Sequence, residues 1–280
     1  MDRAAFLCGA AMLAAAPRRS KATLAELEAR YGGRLGVAAV NSETGARIAH
    51  RAGERFPMCS TFKVLLVGAV LSRVEAGREH LDRHISYTEA NLLRYAPVAK
   101  ANLRFGFMTV RALCGAAIEY SDNTAANLLL RAIGGPDRVT AYARSLGDPL
   151  TRLDRIEPVM SAALPGDVRD TTTPAAMVAN LQELLMGKTL SSTSRFKLSS
   201  WLVNCRTGTE RIRAGVPAGW RVGDKTGSGD HATSNDIAVL YPPRRRPIFV
   251  AAYYTGSSGS SSARDEVLAE VGRIVSSGFA

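Results

Sequence analysis

A serine stands three residues before a lysine at the head of a strongly apolar segment. Ser60 and Lys63 open this segment, which continues to Val67. In a helix, residues three apart lie on one face, so the two side chains would be about one turn from each other. A serine hydroxyl becomes a good nucleophile when a neighbour removes its proton, and a lysine can do so when burial or another cation lowers its pKa. The pair therefore indicates nucleophilic catalysis by serine.

The same spacing occurs a second time in the chain, at Ser194 and Lys197. No comparable apolar run follows that copy, so we predict a solvated helix face there. Because the spacing is common, the interpretation of the first pair depends on the motifs that accompany it.

Three further motifs follow the first pair. A Ser-Asp-Asn motif begins at Ser121, and a Lys-Thr-Gly-Ser motif begins at Lys225 near the end of a predicted strand. Glu157 lies in a polar loop between Arg155 and Asp170. Taken singly, these motifs are typical of a helix cap, a strand end and a turn. Their occurrence together, in this order, favours catalysis.

The set of motifs resembles that of the class A serine β-lactamases. The resemblance extends from about Ala22 to the C-terminus, and the segment around Lys225 matches especially well. A cysteine directly before the nucleophile, here Cys59, is also familiar in that family. The resemblance implies hydrolysis of the β-lactam amide of penicillins and cephalosporins through a serine acyl-enzyme. Glutamate-activated water would then release the product and so give antibiotic resistance, with no metal or other cofactor.

The resemblance also assigns roles to individual residues. Ser60 would attack the lactam carbonyl, and Ser121 would pass a proton to the departing nitrogen. Burial and Lys225 would disfavour the ammonium form of Lys63, and either Lys63 or Glu157 (through water) would be the acylation base. The other implied roles are the oxyanion hole (backbone N–H of Ser60 and Ser228), substrate binding (Tyr95, Asn123, Lys225, Thr226, Ser228 and Arg211), water positioning (Ser161) and an ion pair that pins the loop (Arg155 and Asp170).

Three positions depart from the common pattern of that family. Ser161 stands where an asparagine usually helps to hold the water, which would affect deacylation or substrate range. Ser234 stands where many members carry a carboxylate-binding arginine, so we assign that role to Arg211. Gly229 stands where some carbapenem-hydrolysing members have a cysteine bridged to the one before the nucleophile. Cys59 therefore lacks that partner, which argues against hydrolysis of carbapenems.

The hydrophobic periodicity predicts an α/β (α+β) fold with helices at both ends of the chain and an inserted helical block. Strands joined by short loops pair antiparallel, so we expect one five-stranded antiparallel sheet flanked by the N- and C-terminal helices. The α/β domain would comprise residues 21–58 and 206–280, and the all-α domain residues 59–205, with the active site between them. The predicted elements are a helix over Ala22 to Tyr31, strands over Leu35 to Val40, Arg47 to His50, Arg221 to Thr226, Asp236 to Tyr241 and Ile248 to Tyr254, helices between Ser60 and Leu202, and a last helix containing Val267 and Ile274.

The composition is that of an ordinary globular protein. Of its 280 residues, 46% are hydrophobic, enough to bury a sizeable core. The formal net charge is +11, but the arginines are scattered without interleaved aromatic residues, so we predict a solvated surface and no nucleic-acid partner. After the N-terminus, no apolar stretch is long enough to cross a bilayer. The expected partners are β-lactam substrates and inhibitors, and the expected state is a monomer away from the membrane.

Residues 1–20 resemble a targeting leader. Arg3 precedes an apolar stretch from Ala4 to Ala16, which ends in three alanines before Pro17. A frayed N-terminal helix is the alternative, because the charged start is short and includes Asp2. We predict a signal peptide and therefore a periplasmic or secreted bacterial protein.

The cysteines and histidines do not predict a metal site. Cys59, Cys114 and Cys205 would remain after cleavage of the leader, which is too few for a disulfide scaffold, and no Cys-x-x-Cys occurs. We expect Cys59 to be a small buried thiol. His80 and His84 have a spacing that could hold a metal, but no third ligand is evident, so we predict a solvated helix there.

Two other functions would use a similar serine site. A DD-peptidase would act on peptidoglycan peptides, but such enzymes lack the deacylating carboxylate that Glu157 would supply. A β-lactam sensor domain would bind without turnover, but it would ordinarily need transmembrane segments, and none is visible in the sequence.

Overall fold

The structure is a computed structural model that describes residues 23–280. The leader predicted on residues 1–20 lies outside the described residues. The strands are β1 (Arg34–Asn41), β2 (Arg47–His50), β3 (Phe56–Pro57), β4 (His84–Ser86), β5 (Phe107–Thr109), β6 (Thr171–Thr172), β7 (Arg221–Gly229), β8 (Thr233–Tyr241) and β9 (Ile248–Thr255). The helices are α1 (Leu24–Tyr31), α2 (Lys63–Glu75), α3 (Pro97–Asn102), α4 (Val110–Glu119), α5 (Asn123–Ile133), α6 (Pro136–Ser145), α7 (Pro174–Met186), α8 (Ser192–Val203) and α9 (Ser261–Gly278).

The main sheet has five antiparallel strands in the order β2-β1-β9-β8-β7. This confirms the predicted fold class, with α1 and α9 contacting each other and the sheet. Strand β7 continues to Gly229, beyond the predicted end at Thr226, because each of its residues has a partner in β8. Lys225 consequently lies within a strand and not at its end.

The sheet is buried on both faces by two hydrophobic clusters. Phe249 and Tyr253 of β9 point to the cluster that contains α2, α4, α5 and α7. Val250 and Tyr254, the alternate residues, point to the cluster formed with α1 and α9. A strand buried on both faces is apolar throughout, as β9 is. The division of the chain into an α/β domain and an all-α domain stays a prediction.

Two local predictions are wrong. His84 lies on the short strand β4, paired with β5, and its ring stacks on Phe107 with the centroids 4.0 Å apart. The helix α2 ends at Glu75, and Gly77 then adopts a left-handed backbone (φ 67°) that turns the chain away before the histidines. Ser194 does lie on a helix, α8, but its side chain is buried, so that face is not fully solvated.

Residues 23–280 show neither a metal-binding cluster nor a membrane-spanning helix. No group of three or more His, Cys, Asp or Glu side chains in this range could hold a metal ion. None of the helices described is both long and apolar enough to cross a membrane.

Candidate active site

Ser60 lies in a short 3₁₀ turn, Cys59–Phe62, directly before α2. The sequence predicted a helix at this position, and the tighter turn arises where the backbone changes direction, with Cys59 left-handed at φ 44°. Strand β7 packs closely against this turn. A Cβ atom on Gly227 would lie 2.7 Å from the carbonyl oxygen of Met58, so only glycine permits this approach.

Lys63 is fully buried beside the serine. Its Nζ lies 2.9 Å from Ser60 Oγ, 2.8 Å from the Ser121 carbonyl oxygen and 2.6 Å from Asn123 Oδ1. Burial lowers the pKa of Lys63, although the carboxylate of Glu157, 3.3 Å away, acts in the opposite direction. A lowered pKa makes the neutral amine, which can accept a proton, easier to reach.

Glu157 also contacts the serine directly. Ser60 Oγ donates a hydrogen bond to Glu157 Oε1 at 3.0 Å, and Ser161 Oγ donates to Oε2 at 3.2 Å. Asn127 fixes the backbone, because its Nδ2 donates to the Glu157 carbonyl at 2.8 Å and its Oδ1 accepts from the Glu157 N–H at 3.1 Å. Asn127 was not among the predicted site residues. Its position four residues after Asn123, on the same face of α5, was the available signal.

The loop that carries Glu157 is closed by charged groups at its two ends. Arg155 Nε lies 2.5 Å from Asp170 Oδ2, the predicted ion pair. Asp170 Oδ1 also accepts from the backbone N–H groups of Asp154 and Arg155, and Asp154 Oδ2 accepts from the N–H of Asp170. Asp154 was not predicted from the sequence. This reciprocal arrangement satisfies the buried carboxylate of Asp170 and holds the loop shut.

The hydroxyl of Ser121 lies between two lysines. Lys225 Nζ donates to Ser121 Oγ at 2.9 Å, and Lys63 Nζ lies 3.4 Å from the same oxygen. Burial, together with the charge of Lys63, lowers the pKa of Lys225 to about 7. The neighbouring Asp122 anchors this corner, since it caps α5 and accepts from the backbone N–H groups of Val98 and Ala99.

Arg211 lies at the side of the site formed by β7. Its Nη2 donates to Ser228 Oγ at 2.9 Å, and its Nη1 donates to the carbonyl oxygen of Asn235 at 2.8 Å. Asp265 of α9, which was not predicted, pairs with Arg211 Nε at 2.8 Å and orients the guanidinium. Thr226 is likewise held by an unpredicted partner, the hydroxyl of Thr207, at 2.6 Å.

These groups surround a cleft of about 380 Å³. Tyr95, half exposed, forms part of its wall, while Lys63 and Lys225 lie buried beneath it. The structure thus brings the predicted residues together, with Arg155 and Asp170 in the supporting loop. The cleft is lined by Ser60, Tyr95, Ser121, Asn123, Glu157, Pro158, Ser161, Thr207, Arg211, Thr226 and Ser228.

Cys59 is a buried free thiol, as predicted. Burial raises its pKa, which keeps the thiol protonated and unreactive. A Cβ on Gly229 would lie 2.6 Å from Cys59 Sγ and 2.5 Å from the Ser161 carbonyl oxygen. Any side chain at Gly229 would therefore displace either the loop that carries Glu157 or the 3₁₀ turn that carries Ser60.

The chain is similar over most of its length to known β-lactamases. A sequence model described as the β-lactamase enzyme family matches residues 19–279. The chain is 46% identical to β-lactamase CTX-M-97 of Escherichia coli over 274 residues, which cover 98% of this chain and 94% of that protein. It is 45% identical to β-lactamase OXY-1 of Klebsiella oxytoca over 256 residues, which cover 91% and 88% of the two chains.

Solved structures give the same result. A class A β-lactamase described as the last common ancestor of Gram-negative bacteria superposes with a TM-score of 0.90 at 59% identity, covering 92% of this chain and 98% of that one. The class A β-lactamase PenP of Rhodopseudomonas palustris, described as putative, gives 0.89 at 51% identity, with 91% and 97% covered. The chain therefore belongs to the β-lactamase enzyme family. Within that family it has the fold of class A, which confirms the resemblance noted in the sequence.

Proposed function

We propose that this class A enzyme hydrolyses the β-lactam amide of penicillins and cephalosporins through an acyl-enzyme on Ser60. Opening the lactam would inactivate the antibiotic and protect the bacterium that carries the enzyme. The observation that carries the proposal is the carboxylate of Glu157, held by a closed loop within 3.0 Å of the Ser60 hydroxyl. A serine enzyme that only binds β-lactams has no need of a base beside its ester.

Acylation begins when Ser60 Oγ loses its proton and attacks the lactam carbonyl. Lys63 and Glu157 both lie within hydrogen-bond distance of that oxygen, so each is a candidate for the base. The backbone N–H groups of Ser60 and Ser228 would bind the negative oxygen of the tetrahedral intermediate. Each such donor contributes about 2.7–4 kcal/mol to lowering the barrier.

The leaving nitrogen must gain a proton as the lactam opens. Ser121 is placed to supply it, because its hydroxyl contacts both Lys63 and Lys225, which can replace the proton. The charged groups at Lys225 and Arg211, together with the hydroxyls of Thr226 and Ser228, would bind the substrate carboxylate. Asn123 would bind the amide of the substrate side chain, with Tyr95 beside it.

Deacylation follows from the change in Ser60 on acylation. The ester oxygen carries no hydrogen, so the hydrogen bond from Ser60 Oγ to Glu157 is lost and the carboxylate becomes free to accept from a water molecule. Ser161 would hold the second carboxylate oxygen in place. Glu157 would take a proton from this water as it attacks the acyl carbon, and Ser60 would recover its hydroxyl.

Burst kinetics with nitrocefin would test the proposed function. A hydrolase releases many equivalents of product per enzyme, whereas a β-lactam sensor or a DD-peptidase trapped by the drug releases one equivalent and stops. Release that ends at one equivalent would refute hydrolysis. Steady-state rates on a penicillin, a cephalosporin, an oxyimino-cephalosporin and a carbapenem would then define the substrate range, for which we expect poor use of carbapenems.

We further propose that the enzyme acts as a monomer in the periplasm or outside the cell. For the first part, the cleft lined by Ser60, Glu157 and Arg211 is complete within one chain, so catalysis would not need a second copy. The leader-like sequence of residues 1–20 supports the second part. Sedimentation of the protein in solution would test the monomeric state. Mass spectrometry of the exported protein would test cleavage of the leader.

A further inference from the structure

A second cavity, of about 700 Å³, lies beside residues 163–168, the C-terminal part of the loop that carries Glu157. The catalytic cleft is lined by loop residues 157, 158 and 161, whereas this cavity is lined by loop residues 163–168. Its remaining walls are the turn between β7 and β8, the adjoining ends of β1 and β9, and the segments around β3 and β6 that carry Arg55 and Thr171. No lining residue is common to the two cavities, so a ligand in this one would not touch Ser60.

The loop presents apolar side chains to this cavity. Leu164 is 47% exposed and Val168 is 50% exposed, although both are large aliphatic residues. The one carboxylate of this wall, Asp167, is already engaged by Arg169 at 2.8 Å and by Arg155 at 3.5 Å. Cavities of 300–1,000 Å³ with mostly apolar walls and a few polar groups are typical of small-molecule sites. Water in contact with these aliphatic side chains would be released by an apolar ligand.

Two arginines line the opposite side, and they differ in how their charge is balanced. Arg34 forms an ion pair with Glu54 at 2.8 Å and stacks on the ring of Phe56. Arg55 donates from Nη1 to the Leu150 carbonyl and to Thr171 Oγ1, which are both uncharged acceptors. Within residues 23–280 it forms no ion pair. A guanidinium has five N–H donors, so Arg55 retains donors that no ion pair engages.

We propose that this cavity is a binding site for a small amphiphile with one anionic group. The carboxylate or sulfonate of the ligand pairs with Arg55, and its apolar body packs against Leu164 and Val168. The size of the cavity admits a ligand of two to three rings. A cationic ligand without an anionic group would leave Arg55 unpaired and is not expected to bind.

The test uses 8-anilinonaphthalene-1-sulfonate, a fluorescent anionic amphiphile, titrated against the whole enzyme. Phenylboronic acid at saturation occupies the catalytic serine, so binding that persists in its presence lies outside the cleft. We expect saturable binding of one equivalent that the boronate does not displace. Neutral N-phenyl-1-naphthylamine, which lacks the sulfonate, should bind about tenfold more weakly, the factor for loss of about 1.4 kcal/mol from a charged contact.

Two variants and a matched control locate the site. Arg55→Gln and Leu164→Asp should each weaken sulfonate binding about tenfold, the second by placing a negative charge on the apolar wall. Val159→Asp is the control, because Val159 is 58% exposed on the same loop but lines neither cavity. Absence of saturable binding, displacement by the boronate, or equal binding by both variants and the control would each overturn the proposal.

Discussion

The substitution Glu157→Gln tests the central step of the mechanism. The glutamine amide has the size of the carboxylate and keeps an oxygen for the hydrogen bond from Ser161, but it cannot take a proton from water. A positioned general base contributes about 10²–10⁴-fold to the rate of a proton-transfer step. Turnover of nitrocefin should therefore fall by about 10²–10⁴-fold through slower deacylation.

Acylation should survive this substitution for a reason visible in the site. Burial lowers the pKa of Lys63, while the negative charge of Glu157 raises it. Removing that charge lowers the pKa of Lys63 further, so more of the lysine is neutral and able to accept the proton of Ser60. The variant should release one equivalent of product in a rapid burst and then accumulate as the acyl-enzyme.

The assay combines rapid mixing with nitrocefin and mass spectrometry of the intact protein. The adduct should be stable in the variant and absent from the unsubstituted enzyme at the same time point. Glu89→Gln is a matched control, because Glu89 is exposed and does not line the catalytic cleft. It should leave turnover unchanged. Rapid steady turnover by Glu157→Gln would remove this carboxylate from the mechanism, and loss of the burst as well would make it the acylation base.

Three further predictions concern binding and stability. Arg211→Ala should raise KM for penicillins by roughly tenfold, about 1.4 kcal/mol for a lost charged contact, and weaken inactivation by clavulanate; unchanged values would reject its role. KM for penicillins should rise as the pH increases through about 7, because Lys225 has a pKa of about 7 and loses the charge that binds the substrate carboxylate above it. Lys225→Arg should flatten this dependence of KM on pH. A flat profile for the unsubstituted enzyme would contradict the expectation. Asp170→Asn should lower the free energy of unfolding in urea by about 3–5 kcal/mol, because it breaks the buried ion pair and leaves Arg155 only the longer contact to Asp167 at 3.5 Å. Asp82→Asn, at an exposed ion pair, should lower it by less than about 1 kcal/mol, and equal losses would show that the buried pair is no stronger.

The sequence determined the types and order of the elements and the main chemical groups. The positions of strands and helices followed from the periodicity of apolar residues. Side chains alternate between two faces along a strand and return to the same face about every 3.6 residues along a helix, so a buried face leaves a local pattern. The pair of Ser60 and Lys63 could be recognised for the same reason, since its spacing is local. The resemblance to class A then implied the partners at Ser121, Glu157 and Lys225.

The tertiary structure decided the distances and the supporting residues. Ser60 contacts Glu157 across 97 positions of sequence, and Lys225 contacts Ser121 across 104, so neither contact has a local pattern that would reveal it. Asn127 and Asp265 were missed because a common polar residue gains its role only from the distant backbone or side chain that it meets. The second cavity has no sequence signal either, because its walls come from segments that approach one another only after the sheet and the loop have folded.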